Sequence, residues 1–222
     1  MPRVTAAGCF FRPLVPMAAL ATAASRRPLA VAARRFCSAS RPSAASSSVE
    51  VHDDFFSSET QQKILTLMER PMWSFTGGRP PNQFWHMDGL EREPYFRNNL
   101  YNAISTKLGR KFNGVERIYA NGQTAMQSGA PHIDDGDWTF LYFPNPIWRR
   151  EWKGSLLFSP PGAQRRTARR PSSGEPRETI AVEYRPNRAV LFPTAGRVHH
   201  AEAPSRSFTG LRVSLAFKLR GG

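Results

Sequence analysis

Leu211-Arg212-Val213-Ser214-Leu215-Ala216-Phe217-Lys218-Leu219 alternates without interruption. Leu211, Val213, Leu215, Phe217 and Leu219 form a wholly apolar set, while Arg212, Ser214, Ala216 and Lys218 form a small or polar one. Residues two apart on a strand share a face, so this stretch reads as a strand with one face on a core. The same period of two runs backward through shorter segments at 115–120, 124–127, 138–143, 154–158, 179–184, 189–192 and 197–201, with Gly, Pro, Asn and Asp in nearly every gap. Short strands in this number, with no helical pattern between them, predict a mainly β (α+β) chain closed into a barrel or jelly roll, not a doubly wound sheet.

Helical signals lie upstream of Val115. Ser58-Glu59-Thr60-Gln61 fits a capping box, and Ile64, Leu65 and Met68 then fall on one helical face. A second helix is expected from near Pro94, with Phe96, Leu100, Ile104 and Leu108 at four-residue steps, ending at Gly109. Residues 73–87, rich in Gly, Pro and aromatics, read as loop with one short strand. Residues 49–114 therefore form a helical and loop support region, and residues 115–222 the barrel.

Residues 1–48 differ from the rest. They hold seven Arg, no Lys, no acidic residue and both cysteines, Cys9 and Cys37. Half of the formal charge of +14 belongs to them, because without their seven Arg the chain has 24 bases against 17 acids. An Ala-, Ser- and Arg-rich leader without acids is the composition of an organelle transit peptide. Arg34-Arg35-Phe36-Cys37-Ser38 resembles a mitochondrial processing site, and a plastid is the alternative destination. The processed chain would carry no cysteine, which excludes disulfides, thiolate metal sites and a cysteine nucleophile. No run approaches 18 uninterrupted apolar residues, so neither a membrane-spanning helix nor a membrane partner is expected. The Pro- and Arg-rich stretch 159–177, with Arg165, Arg166, Arg169 and Arg170, reads as an exposed basic loop; without interleaved aromatics it gives weak support to nucleic-acid contact.

The chemistry centres on Gly129-Ala130-Pro131-His132-Ile133-Asp134. His132 and Asp134 stand two apart, so on a strand imidazole and carboxylate converge on one ion. A third ligand must come from elsewhere, and Val198-His199-His200 offers it. Two His and one carboxylate with open positions make the facial triad of non-haem Fe(II) oxygenases. Arg212 and Ser214 share the polar face of the last strand. A guanidinium inside a barrel is costly unless paired, and no acid occupies the neighbouring strand positions, so a ligand carboxylate is its expected partner.

His132-x-Asp134, the distal His and Arg212-Val213-Ser214-Leu215 resemble the 2-oxoglutarate- and Fe(II)-dependent dioxygenases, in their prolyl-4-hydroxylase-like branch. Tyr119-Ala120-Asn121-Gly122, Thr139-Phe140-Leu141-Tyr142-Phe143-Pro144-Asn145 and Pro186-Asn187-Arg188-Ala189-Val190-Leu191-Phe192 are similar to that branch too, so the resemblance runs from about Tyr119 to Leu219. It implies a double-stranded β-helix (a jelly-roll, cupin-like barrel) with flanking N-terminal helices. It implies that His132, Asp134 and His200 bind Fe(II); His200 is preferred to His199 because the family places the distal ligand three residues after an arginine, here Arg197. It further implies that Arg212 grips the C5 carboxylate of 2-oxoglutarate, with Ser214 or Tyr119 adding a hydroxyl. The expected cofactors are Fe(II), 2-oxoglutarate and O2, with ascorbate as a reductant. The expected reaction is hydroxylation of a C–H bond with release of succinate and CO2, on a prolyl side chain of a protein by default or on a small molecule.

Two departures stand out. Phe143 occupies the place of a tyrosine that touches the co-substrate in some relatives, and Gly154-Ser155-Leu156 replaces Gly-Gly-Glu. Asp135 and Asp137 flank Asp134 without sharing its spacing from His132, and His52 and His86 have no evident partner. The competing readings are an inactive barrel serving as a binding module and a basic nucleic-acid-binding protein acting through residues 165–177.

Overall fold

The computed structural model describes residues 49–159 and 179–221; the leader 1–48 and nearly all of the basic loop 159–177 lie outside the described residues. Eleven strands are described: β1 (Glu50–His52), β2 (Ser74–Gly77), β3 (Phe84–Met87), β4 (Val115–Gln123), β5 (His132–Ile133), β6 (Trp138–Phe143), β7 (Leu156–Phe158), β8 (Ile180–Val182), β9 (Arg188–Pro193), β10 (Val198–Ala201) and β11 (Arg212–Leu219). They form a seven-stranded sheet in the order β1-β9-β6-β11-β4-β3-β2 and a four-stranded sheet in the order β5-β10-β7-β8, with every pairing antiparallel.

The alternation along β11 sorts its residues between two cores. Val213, Leu215, Phe217 and Leu219 pack with Phe55, Phe56, Ile64, Phe96, Leu100 and Ile104 on the helical side of the large sheet. Ala216 joins Leu141, Phe143, Val190 and Phe192 from the large sheet and Leu156, Phe158 and Val182 from the small one, so this second core lies between the sheets. Each fully buried Phe here contributes about 1.5–3 kcal/mol from surface removed from water. The polar set of β11 therefore faces the inter-sheet space: Arg212, Ser214 and Lys218 are all buried.

Helix α1 spans Ser58–Met68, but its cap is Ser57, whose extended backbone lets its hydroxyl accept from the Thr60 N–H at 3.3 Å. Ser58, expected as the cap, is instead the first helical residue, since Thr60 stands at the third helical position only when counted from Ser57. The second helix begins after Pro94 as a π-helical stretch, Tyr95–Leu100, continues as α2, Tyr101–Leu108, and ends at Gly109 with φ +57°, as expected.

Three expectations are corrected. The run 124–127 is a turn, because Gln127 folds back on itself: its side-chain oxygen accepts from Thr124 N–H and its carbonyl accepts from Gln123 Nε2, both at 2.8 Å. The two-residue β5 takes the place of that strand. Residues 73–87 hold two strands, β2 and β3, which extend the large sheet beyond β4. β1 carries no alternation long enough to read, yet it completes the opposite edge against β9.

Candidate metal centre

β5 and β10 are antiparallel neighbours with His132 directly opposite His199, their ring centroids 4.6 Å apart. Asp134 follows β5 and turns its carboxylate between them: His132 Nε2 lies 3.3 Å from Oδ1, and His199 Nε2 lies 3.5 Å from Oδ2. One ligand atom from each of the three lies within 4.8 Å of the other two. That spacing and two-nitrogen, one-oxygen donor set fit a divalent transition metal.

The distal histidine of this cluster is His199, not His200. Successive strand residues face opposite ways, so His199 and Ala201 line the inter-sheet cavity while His200 does not. His199 is 4% exposed; its Nδ1 lies 3.5 Å from Arg197 O, and its ring packs edge-on against Phe192 at 4.9 Å. Among the described residues, the buried Nδ1 of His200 has no hydrogen-bond partner, and burial pulls its pKa down. Counting three residues on from Arg197 selects the wrong parity; the cross-strand register with His132 selects the right one.

Asp134 is clasped from the other side as well. Thr139 Oγ1 donates to its Oδ2 at 2.7 Å, and Lys218 Nζ contacts the same oxygen while donating to Thr139 Oγ1 at 3.0 Å. Burial pushes the Asp134 carboxyl up, but the His132 hydrogen bond and the charges of Lys218 and His199 outweigh it, holding the group well below the usual carboxylate range. The His132 pKa is raised, chiefly by its hydrogen bond to Asp134. Burial lowers that of His199 to about 4, so its ring is neutral at physiological pH.

Arg212 is 1% exposed, and among the described residues no carboxylate lies within ion-pair distance of it, although the charge of Glu202 acts on it from further away. Its Nε donates to Gly154 O at 2.8 Å and its NH1 to Gln123 Oε1 at 3.0 Å. The guanidinium carbon lies 4.7 Å from the Tyr184 ring centroid and 5.5 Å from that of Phe143, the two rings being stacked at 4.4 Å. Burial lowers its pKa to about 10, leaving it charged. Gly154 has φ +80°, and a Cβ there would stand 3.0 Å from Arg212 Cδ and Nε, so glycine is what admits the arginine. Phe143, the first departure noted above, thus serves as a packing platform, and Gly154 belongs to the second.

One cavity collects five of the six expected site residues: Tyr119, His132, Asp134, Arg212 and Ser214 line it, with His199 in place of His200 and Leu141, Phe143 and Leu156 as apolar walls. Motif spacing alone does not reveal Lys218 and Thr139 as partners of Asp134, nor the contacts of His86. His86 Nδ1 is 2.9 Å from Asn121 Oδ1, and the ring lies 5.2 Å from that of Tyr119. His52 likewise has a neighbour, with Nε2 3.6 Å from a Glu50 carboxylate oxygen. The signal for Lys218 is in the alternation of β11, which turns a lysine inward. Asp135 lies 3.2 Å from Arg117, outside the triad.

No family model matches the sequence, and no curated protein matches it. Solved structures do match. A prolyl hydroxylase from Trichoplax adhaerens, in complex with a hypoxia inducible factor peptide fragment, is 15% identical, with a TM-score of 0.56 over 78% of this chain and 84% of its own. A 2OG-Fe(II) oxygenase family oxidoreductase from Burkholderia pseudomallei is 12% identical, with a TM-score of 0.57 over 78% and 85%. The epimerase SnoN, in complex with Fe3+, alpha ketoglutarate and nogalamycin RO, is 12% identical, with a TM-score of 0.54 over 78% and 78%. The two packed antiparallel sheets of this chain are thus the double-stranded β-helix fold of the prolyl hydroxylases and 2OG-Fe(II) oxygenases.

Proposed function

We propose that the chain is an Fe(II)- and 2-oxoglutarate-dependent dioxygenase that hydroxylates a C–H bond of its substrate. The observation that carries this reading is one cavity holding both a two-His, one-carboxylate cluster and a buried arginine that, among the described residues, forms no ion pair with a carboxylate. His132, Asp134 and His199 would hold the iron. When bound, the metal supplies the oxidising chemistry, in which O2 and 2-oxoglutarate are consumed and succinate and CO2 are released.

The chain's own residues do the rest. Arg212 binds the far carboxylate of the co-substrate with a planar fork held rigid by Gly154, Gln123 and the Tyr184 ring. Tyr119 and Ser214 add hydroxyls to the same cavity, and Leu141, Phe143 and Leu156 exclude water from it. The His132 side chain is half-exposed, so this side of the cluster is open to a substrate. A prolyl side chain is the substrate we favour, on the likeness to prolyl hydroxylases; the likeness to SnoN makes a small molecule the alternative. The composition of residues 1–48 supports import into an organelle, most simply a mitochondrion.

Substrate-independent turnover tests the reading. Full-length protein with Fe(II), ascorbate and 2-oxoglutarate should release succinate slowly, and His132→Ala should release none. Arg212→Gln should raise the 2-oxoglutarate concentration needed by about 10- to 100-fold, the worth of a charged hydrogen-bond pair. A folded protein that consumes no 2-oxoglutarate would mark the barrel as a binding module.

A further inference from the structure

The interior of the barrel holds more positive charge than the proposed chemistry requires. Arg212 faces a co-substrate carboxylate, but Lys218, six residues further along the same face of β11, is equally buried and is not needed for that contact. Its ammonium lies against Asp134 and Thr139, 4.0 Å from Asp135 Oδ1 and 5.8 Å from the Tyr119 ring centroid. Among the described residues, Asp134 is the carboxylate with a buried side chain beside these two buried cations; Asp135, which acts on Lys218, is exposed, and Glu202 acts on Arg212 without an ion pair. Adding a divalent metal enlarges the positive excess, and adding a dicarboxylate reduces it.

We propose that Lys218 couples metal binding to co-substrate binding: its charge beside Asp134 weakens the site's hold on a divalent cation until a dianionic ligand arrives. The ammonium shares Asp134 Oδ2 with the Thr139 hydroxyl, so an incoming metal must compete for the carboxylate and also approach a like charge. A dicarboxylate engaging Arg212 offsets both cations at once. Coupling of this kind is reciprocal, so the metal strengthens dicarboxylate binding by the same factor. This inference rests on the dioxygenase reading, since it needs the metal and 2-oxoglutarate to share the cavity. Lys218 is a positioning residue: it acts through Asp134.

Titration of metal-free full-length protein with Mn(II), followed by the electron paramagnetic resonance signal of free Mn(II), tests it with and without saturating 2-oxoglutarate. Lys218→Met keeps most of the apolar stem and removes the charge; Lys218→Gln keeps a hydrogen-bond donor and removes the charge. Both variants should bind Mn(II) alone about tenfold more tightly than wild type, and in both the gain from 2-oxoglutarate should fall about tenfold, within the usual span of coupling between sites. If Lys218→Gln keeps the wild-type affinity and the wild-type gain, the charge is not the cause and the inference is overturned, whether or not Lys218→Met folds. Wild-type protein that binds no Mn(II) under either condition would overturn the dioxygenase reading and this inference with it.

Discussion

His199 and His200 are neighbours with opposite surroundings, one turned into the cavity and the other away from it. His200→Ala should leave 2-oxoglutarate turnover within about threefold of wild type, whereas His199→Ala should abolish it, because removing one member of a unit of ligands removes the site. Succinate release measured for both variants checks this. The protonation of His132 sets a pH dependence. A metal needs its neutral ring, and the hydrogen bond to Asp134 raises its pKa, so metal binding must displace a proton below that pKa. Mn(II) affinity should be flat above it and fall about tenfold per pH unit below it. His199, with a pKa of about 4, adds nothing until the solution is far more acidic. An affinity that stays constant from about pH 5 to pH 8 would contradict the raised His132 pKa. The spacing of the motifs makes His132, Asp134 and Arg212 legible in the sequence. The choice between adjacent histidines is not legible there, because it depends on the register of β10 against β5.

At the level of elements, Asn187 is the joint between the support region and the barrel. Its φ is +56°; its side-chain oxygen accepts from Phe56 N–H at 3.0 Å and Tyr142 Oη at 2.9 Å, and its Nδ2 donates to Phe56 O at 2.8 Å. Two backbone bonds, from Phe55 N to Asn187 O at 2.9 Å and from Asn187 N to Phe143 O at 3.0 Å, complete it. Asn187→Ala should cost about 2–4 kcal/mol, from unpaired buried groups and a left-handed backbone without an asparagine. Denaturant unfolding measures this, and a cost below about 0.5 kcal/mol would show the joint to be dispensable. β11 and α2 are readable from sequence because each carries a long periodic pattern with a clear end. β1, β5 and the β2–β3 pair are not: two to four residues cannot display a period, and their existence depends on the edges they join. The turn at 124–127 alternates like a strand, but Gln127 satisfies its backbone locally.

At the largest scale, the described residues form two sheets, with helices against the outer side of the larger one and the candidate site between the two sheets. His132 and His199 belong to the small sheet, and Arg212 belongs to the large one. A metal with its co-substrate would link the two, binding the folded state alone. At ligand concentrations about 100 times the dissociation constant this adds about 2.7 kcal/mol, equivalent to a rise in Tm of about 5–10 °C for a chain of this size. Thermal unfolding with Mn(II) and 2-oxoglutarate should show that rise in wild type and lose it in His199→Ala. The most direct test of the central claim is the visible spectrum of the full-length, metal-free protein under anaerobic conditions, recorded after addition of Fe(II) and then of 2-oxoglutarate. A charge-transfer band that requires both additions, persists in His200→Ala and vanishes in His199→Ala is the expected result. No band from folded wild-type protein, or a band that survives in His199→Ala and disappears in His200→Ala, would contradict the site as assigned.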